Sequence, residues 1–285
     1  MSITVEDLQY TYVPGTPFSH TALSDVNLTI EDGEFVGLIG HTGSGKSTLI
    51  QIMSGLIRPM GGRVLVGGQD IFAKNADKMA LRRTVGVVFQ YPEYQLFEES
   101  IQKDIEFGPR KTGVPESELQ DRVMEAMALV DLDYETYKDI SPFELSGGQK
   151  RKVAIAGVLA MRPQVLILDE PIAGLDPQGR TALMELLRVL NRNGVTIVIV
   201  SHNMDGLAEY ATRIVAMKEG RVHMNGTPAE VFSQHDRLRE AGLDLPQAAR
   251  MVELLRARGW DIPAGIIRYG ELRDWLRARL GGGAA

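Results

Sequence analysis

Residues 40–48, GHTGSGKST, have the residue types and the spacing of a phosphate-binding loop. They fit the pattern G-x-x-x-x-G-K-[ST] and stand between a strand-like run and a helix-like run, which is the context this pattern needs. Glycines let the backbone point several N–H groups at a polyphosphate, and the following helix N-terminus favours an anion. Lys46 can reach the β- and γ-phosphates, and Ser47 can ligate Mg²⁺. His41 stands at a variable position of the pattern.

A second chemical signal is the run VLILDE at residues 165–170. Its apolar part is typical of a strand buried on both faces of a parallel sheet. An acid at the C-terminal end of such a strand lies beside the phosphate loop in a doubly wound sheet. Asp169 would hold Mg²⁺, directly or through water, and Glu170 would accept a proton from an attacking water. The two segments together predict a P-loop ATPase.

The run LSGGQKRK at residues 145–152 predicts a second anion site. A Gly-Gly pair follows Ser146, which can cap the helix that begins there. Residues 40–48 already bind the phosphates of one nucleotide, so a second clamp is useful when it serves a nucleotide held by another chain. We therefore expect a head-to-tail dimer with two ATP molecules between its subunits.

The surrounding pattern predicts the elements that position these residues. Strand-like runs alternate with helix-like runs, which indicates an α/β fold with a largely parallel sheet. We expect strands over residues 3–12 and 26–39, and a hairpin over GGRVLVGGQDI. Residues 98–138 are mostly helical by pattern, with breaks at Pro109 and Pro115.

The pattern changes after about residue 227, where helical segments carry arginines on their polar side. One apolar stripe contains Leu272, Trp275, Leu276 and Leu280. We expect a helical appendage docked on the main domain or on a partner copy, and the alternative is a helix on a membrane surface. The terminal GGGAA is expected to be disordered.

Composition limits the possible functions. The chain has 285 residues, 44% of them hydrophobic, which is enough for one large domain and an appendage. A net charge of −6 argues against a general nucleic-acid-binding surface, and the absence of cysteine excludes disulfides and thiolate chemistry. No signal peptide is recognisable, and no apolar run approaches membrane-spanning length, so we expect the chain to be soluble by itself.

The motifs resemble those of ATP-binding-cassette (ABC) ATPases. LSGGQ at residues 145–149 is similar to their signature, Gln90 to the Q-loop glutamine, AGLD at residues 173–176 to the D-loop, and His202 to the switch histidine. Tyr12 matches the aromatic residue that stacks on adenine, with Tyr10 as the alternative. The resemblance covers roughly residues 3–225 and has six motifs in order.

This resemblance implies a fold and a set of site residues. The fold is α/β, with a P-loop NTPase (RecA-like) parallel-sheet core, an N-terminal antiparallel β-subdomain and a helical ABC subdomain at about residues 91–163. We expect residues 1–227 to form the nucleotide-binding domain and residues 228–285 a small C-terminal helical extension. The implied catalytic residues are Glu170, His202 and Gln90, and the implied Mg²⁺ ligands are Ser47, Gln90 and Asp169. The nucleotide-binding residues are Tyr12, Gly40, His41, Thr42, Gly43, Ser44, Gly45, Lys46, Ser47, Thr48, Leu145, Ser146, Gly147, Gly148, Gln149 and Asp176.

Two segments favour one group within this family, namely FQYPEYQLFEESIQKDIEFGP at residues 89–109 and PIAGLDP. Both resemble ATPase subunits of energy-coupling factor (ECF) transporters, which import vitamins and, in related systems, cobalt or nickel ions. The segment that begins FQYPEYQLFEES looks more like the vitamin-type second ATPase. It implies ATP and Mg²⁺ as cofactors, and as partners a second ABC ATPase, a transmembrane scaffold and a membrane substrate-binding subunit, at the cytoplasmic face of the membrane. The second ATPase is either a paralogue or a second copy of this chain. Two alternative identities for the chain stay open, namely the ATPase of another ABC importer or exporter and a non-transport ABC ATPase. No nucleic-acid partner is expected.

The segment over residues 91–100 predicts a contact surface for the membrane partner. Tyr91, Tyr94, Leu96 and Phe97 lie among the acids Glu93, Glu98 and Glu99, with no regular period, and Pro92 disfavours an ordinary helix. Aromatic residues with a charged rim suit a protein interface. The alternative is that these side chains pack within the helical subdomain.

Overall fold

The computed structural model describes residues 1–280, and the expected disorder of GGGAA concerns residues outside this range. The strands are β1 Ile3–Tyr12, β2 His20–Ile30, β3 Phe35–Ile39, β4 Gly61–Val66, β5 Gln69–Asp70, β6 Val85–Val88, β7 Val165–Asp169, β8 Thr196–Val200, β9 Arg213–Lys218 and β10 Arg221–Gly226. The helices are α1 Lys46–Met53, α2 Lys78–Thr84, α3 Ile101–Lys111, α4 Glu116–Leu129, α5 Tyr134–Tyr137, α6 Gly147–Leu159, α7 Pro177–Arg192, α8 Met204–Tyr210, α9 Pro228–Phe232, α10 His235–Glu240, α11 Gln247–Ala257 and α12 Tyr269–Leu280.

The first sheet is antiparallel, in the order β2-β1-β4-β5. The predicted hairpin of β4 and β5 is confirmed, with Val66 opposite Gln69. The predicted start of the second strand at residue 26 was wrong, because β2 begins at His20 and pairs along the whole of β1. The residues His20 and Thr21 are polar and exposed, so they carry no apolar alternation, but Tyr12 and Thr11 pair with them across the sheet.

The second sheet holds the phosphate loop, in the order β10-β9-β3-β8-β7-β6. From β9 to β6 all neighbouring strands are parallel, as predicted, and β10 is antiparallel to β9. β3 and β8 are buried at every position, which their unbroken apolar runs predict. Because β8 lies between β3 and β7, the loops that follow these three strands meet at one edge of the sheet.

A helical segment follows β6 and is built mainly from α3, α4 and α6. The predicted break at Pro109 was wrong: Pro109 lies inside α3, which continues to Lys111. Pro109 stands in the last turn, so only one backbone hydrogen bond near the end of the helix is lost. Packing offsets that loss, because Ile101 and Ile105 of the same helix are fully buried. The predicted break at Pro115 is confirmed, because α4 begins directly after it.

The C-terminal helices dock on the main domain. Phe232 and Leu238 belong to the main hydrophobic core. Apolar contacts therefore join residues before and after position 227, and the domain boundary predicted there stays an interpretation. In the predicted stripe, Leu272 is buried and Trp275 and Leu276 are partly buried, but Leu280 is exposed. Of the helices that lie within residues 1–280, none combines the length and the apolar character needed to span a membrane.

Candidate functional site

A cavity of about 560 Å³ opens at the edge of the sheet where β3, β7 and β8 end. It collects most of the predicted residues of one nucleotide site. Its walls are formed by Tyr12, His20, Ala22, Thr42, Gly43, Gly45, Lys46, Ser47, Thr48, Gln90, Asp169, Glu170, Ala173, Val200 and His202. Three residues of the phosphate loop do not line this cavity, namely Gly40, the half-buried His41 and the fully buried Ser44.

The backbone of the phosphate loop favours glycine at positions 43 and 45. Gly43 and Gly45 have φ values of 81° and 101°, in the left-handed region that side chains disfavour. A Cβ on Gly45 would also lie 2.5 Å from the carbonyl oxygen of Ala22. The two glycines therefore let the backbone turn into α1 at the wall of the cavity.

Lys46 is the buried cation of this cavity. Its Nζ donates hydrogen bonds to the carbonyl oxygens of Gly40, at 2.6 Å, and His41, at 3.0 Å. Burial lowers the pKa of Lys46, while the negative charges of Glu170 and Asp169 act in the opposite direction. An ammonium group held by carbonyl oxygens in this way is placed to be shared with phosphate oxygens.

Ser47 and Asp169 form an oxygen pair suited to Mg²⁺. The Ser47 hydroxyl and Asp169 Oδ2 lie 3.5 Å apart, and both residues line the cavity. Burial raises the pKa of Asp169, whereas Lys46 and the Ser47 hydroxyl lower it. A hydroxyl and a carboxylate beside a phosphate site are the ligands that Mg²⁺ prefers, so the residues present fit this ion. Gln90 lines the same cavity and can complete the set.

Glu170 and His202 contact each other at the wall of the cavity. His202 Nε2 lies 3.3 Å from Glu170 Oε1, and His202 is much the more exposed of the two side chains. Among the described residues, Glu170 Oε1 has no hydrogen-bond partner, although it is buried. Burial raises the pKa of Glu170, and His202 lowers it. A mostly buried carboxylate that lines the cavity can take a proton from a water molecule at the phosphate end.

The other end of the cavity is aromatic. Tyr12 lines it, and its hydroxyl lies 3.2 Å from Thr48 Oγ1. Tyr10 contacts Tyr12 edge to face, with ring centroids 4.9 Å apart, and packs against the core of the first sheet. His20, which pairs with Tyr12 across the sheet, also lines the cavity. His20 was not predicted as a site residue, because the predicted start of β2 at residue 26 lies after it.

The predicted second anion site lies in a separate cavity of about 640 Å³. Ser146, Gly148, Gln149 and Asp176 line it, whereas Leu145 is buried and Gly147 does not contribute to its walls. Ser146 caps α6 in a reciprocal capping box with Gln149. Within residues 1–280, no residue lines both cavities. The phosphate loop and the run LSGGQ therefore line two different cavities of the chain.

The segment after Gln90 is partly exposed, as predicted, with two corrections. Tyr91, Tyr94 and Phe97 are exposed, Tyr94 by 84%. Leu96 was expected in the exposed set but is buried in the core. Glu93 was expected at the rim, yet it is mostly buried in an ion pair with Arg151. Residues 92–95 form one turn of 3₁₀-helix, so Pro92 disfavours an α-helix there without preventing a helical turn.

The chain is similar to known proteins over most of its length. A family model described as "ABC transporter" matches residues 23–173, which include the phosphate loop, the run LSGGQ and Glu170. The chain is 51% identical over 277 residues to the energy-coupling factor transporter ATP-binding protein EcfA2 of Clostridium perfringens, with 97% of both chains covered. It is 53% identical over 282 residues to the EcfA2 of Symbiobacterium thermophilum, covering 99% of this chain and 98% of that one.

Two solved structures have the same fold. The structure of cbiO1 from Clostridium perfringens, described as part of the ABC transporter complex cbiONQ, matches with a TM-score of 0.73 at 41% identity. The match covers 88% of this chain and 98% of that one. A dimeric ATP-binding cassette, MJ0796, bound to ADP and Pi matches with a TM-score of 0.70 at 30% identity, covering 79% of this chain and 98% of that one.

Proposed function

Because the chain belongs to the ABC transporter family, and within it to the ATP-binding proteins of energy-coupling factor transporters, we propose that it powers the import of a vitamin or another micronutrient. The sequence-based recognition of this family and of the α/β P-loop fold is confirmed. The chain is an ATP-hydrolysing subunit that works with a second ATPase and with membrane components. The identity of the substrate and of the partner subunits belongs to the proposal.

The residues of the first cavity divide the chemistry among themselves. Backbone N–H groups of the phosphate loop and the Lys46 ammonium bind the phosphates, and Tyr12 stacks on adenine. Ser47, Asp169 and Gln90 would hold Mg²⁺, which would supply positive charge to offset the charge of the phosphates. Glu170 accepts the proton of the attacking water, and His202 contacts the γ-phosphate and stabilises the charge that develops on it.

The second cavity completes the site of another subunit. Ser146, the N-terminus of α6 and Asp176 would contact the nucleotide held by the partner's phosphate loop. ATP binding would then close a head-to-tail dimer, and hydrolysis with phosphate release would open it. This proposal is supported by the two separate half-sites and by the likeness to a cassette described as a dimer.

Transport would follow from motion of the helical subdomain, at about residues 91–163, relative to the core. Gln90 lines the nucleotide cavity, and the exposed aromatic residues Tyr91, Tyr94 and Phe97 come directly after it. We propose that a transmembrane scaffold docks on these side chains at the cytoplasmic face of the membrane. The scaffold would be moved when the γ-phosphate binds or leaves, and a separate membrane subunit would select the substrate.

The single observation that carries the proposal is the convergence of Lys46, Asp169, Glu170, Gln90 and His202 on one cavity. The test is to express the tagged full-length chain in its own host and to purify it from detergent-solubilised membranes. We expect ATPase activity together with integral membrane proteins, one of which binds a vitamin. Binding of cobalt or nickel by that protein would favour the metal-type system instead. Recovery of ATPase activity without any membrane protein would contradict the transport function.

A further inference from the structure

Arg151 is a buried cation that the chemistry of the nucleotide site does not use. It lies in α6, and only 5% of it is exposed. Its Nε donates to Glu93 Oε2 at 3.1 Å, and one terminal nitrogen donates to Glu93 Oε1 at 2.9 Å. The other terminal nitrogen donates to the carbonyl oxygen of Ala173. This two-pronged pairing of arginine with a carboxylate is directional as well as strong, so it fixes the relative position of the segments it joins.

The three residues of this contact lie in three segments that each carry a site residue. Glu93 comes three residues after Gln90, Ala173 three residues after Glu170, and Arg151 five residues after Ser146. Ala173 lines the cavity of the phosphate loop, whereas Arg151 lines the cavity of the LSGGQ run. The hydrogen bond from the Arg151 guanidinium group to Ala173 therefore connects the linings of the two cavities.

The contact also reaches Glu170 through the backbone. The N–H of Ala173 donates to the carbonyl oxygen of Glu170 at 3.2 Å and closes a turn. Glu170 has a φ of 49°, and Tyr91, between Gln90 and Glu93, has a φ of 54°. Such conformations of residues other than glycine persist only where the surrounding structure holds them. Arg151 contacts Glu93, two residues after Tyr91, and Ala173, three residues after Glu170.

We propose that Arg151 is a positioning residue that holds Gln90 and Glu170 in register with the partner-facing Ser146. The inference rests on the proposed roles of these three residues. Glu93 balances the buried charge, and the Ala173 carbonyl oxygen takes the remaining arm of the guanidinium group. A lysine cannot replace this arrangement, because its single nitrogen lacks the planar fork that serves both carboxylate oxygens at once.

The experiment uses the full-length chain in the complex that co-purifies with it. Arg151→Lys keeps the charge and removes the fork, and Glu93→Gln keeps the shape and removes the carboxylate. The matched control is Glu116→Gln, which removes one of the two carboxylates that pair with Arg110, at the same 2.9 Å length and on the exposed surface of the helical segment. For each variant we would measure kcat, KM, the Kd for ATP, the melting temperature and ATP-dependent dimer formation in the Glu170→Gln background.

We expect kcat to fall by about tenfold or more in Arg151→Lys and in Glu93→Gln, since a hydrogen bond to a charged group is lost in each. The Kd for ATP should stay within about twofold, because the phosphate loop is untouched, while ATP-dependent dimer formation weakens. The double variant should be no slower than the slower single variant, because the two residues act as one unit. Glu116→Gln should behave like the unmodified chain.

Two results would overturn the inference. One is normal kcat and normal dimer formation in both single variants. The other is a parallel fall of melting temperature, ATP binding and activity in both, which would indicate a purely structural role. A failure of the proposed function looks different, because the unmodified complex would then lack ATPase activity or Glu170→Gln would keep it.

Discussion

The imidazole Nε2 of His202 lies 3.3 Å from the carboxylate Oε1 of Glu170, at the ends of the neighbouring parallel strands β8 and β7. The carboxylate is buried and has no hydrogen-bond partner at Oε1 among the described residues, while the imidazole is mostly exposed to the cavity. A water molecule that attacks the γ-phosphate at this place would find its proton acceptor and, directly beside it, an imidazole that can contact the phosphate.

The first prediction concerns Glu170 as the catalytic base. Glu170→Gln keeps the shape of the side chain and removes its basic oxygen, so hydrolysis should fall by roughly 10²–10⁴-fold, the usual contribution of a positioned base. ATP binding should survive, and dimers with trapped ATP should accumulate. Phosphate release and gel filtration with ATP measure the two effects. Turnover near that of the unmodified chain would refute the assignment.

The second prediction separates the two half-sites. Lys46→Ala should weaken ATP binding to the subunit that carries it, because a buried ammonium beside the phosphate loop is lost. Ser146→Arg should leave ATP binding to the isolated subunit intact and prevent the closed dimer, because the added side chain fills the partner-facing cavity. Nucleotide titration and dimer formation by light scattering measure both.

Ser146→Ala is the control for this pair, because it removes the helix cap without adding bulk, at a cost of about 1 kcal/mol. If homodimers form, mixing the Lys46→Ala and Ser146→Arg chains should restore one complete site and part of the activity. Loss of ATP binding by monomeric Ser146→Arg would contradict the two-chain arrangement.

The third prediction is a pH effect in the C-terminal extension. Arg239 donates to both oxygens of Glu253, and this hydrogen bonding, more than its charge, holds the pKa of Glu253 below its ordinary value of 4.5. The ion pair therefore stabilises the fold above about pH 4.5, and this stabilisation is lost as the pH falls through the lowered pKa. Because the pair is partly exposed, its contribution is at most about 1 kcal/mol.

Glu253→Gln should accordingly lower the free energy of unfolding at pH 7, and the difference should shrink as the pH falls below 4.5 and through the lowered pKa. Urea unfolding of both chains across this range measures the difference. Glu240→Gln, which removes an exposed carboxylate that forms no ion pair within residues 1–280, should show no such trend. An unchanged difference between Glu253→Gln and the unmodified chain at all pH values would show that the pair does not titrate as described.

The features that were predicted correctly are those that residues close together in the sequence determine. The phosphate loop between β3 and α1 needs its glycines, lysine and hydroxyls within nine positions, so its chemistry is readable from a short run. The buried strands β3, β7 and β8 were equally readable, because strands covered on both faces are unbroken apolar runs.

The failures concern features that distant residues decide. β2 begins at His20 because β1 supplies its hydrogen-bond partners, and no local pattern contains that information. Glu93 looked like a rim residue because its partner Arg151 is 58 positions away. Leu96 and Tyr94 stand two residues apart in an irregular segment, and only the packing of the helical segment decides that one is buried and the other exposed.

The last prediction tests the exposed aromatic surface of Tyr91, Tyr94 and Phe97 as the contact with the membrane scaffold. Tyr94 is the most exposed of the three, and Phe97 packs edge to face on Phe107 with ring centroids 4.9 Å apart, so part of its apolar area is already used within the helical segment. Replacing Tyr94 and Phe97 by alanine together should leave ATP hydrolysis by the soluble subunit nearly unchanged. It should release the scaffold, because buried aromatic anchors supply most of the binding energy of such interfaces.

The measurements are recovery of the complex in detergent, substrate uptake in proteoliposomes and the ATPase rate of the free subunit. Met124→Ala, which truncates an exposed apolar residue on α4, outside the segment of these three aromatic residues, is the matched control and should assemble normally. Normal assembly and uptake by the double variant would place the scaffold contact elsewhere. A large fall in the melting temperature of the free subunit would instead show that the two aromatic side chains serve the packing of the helical segment.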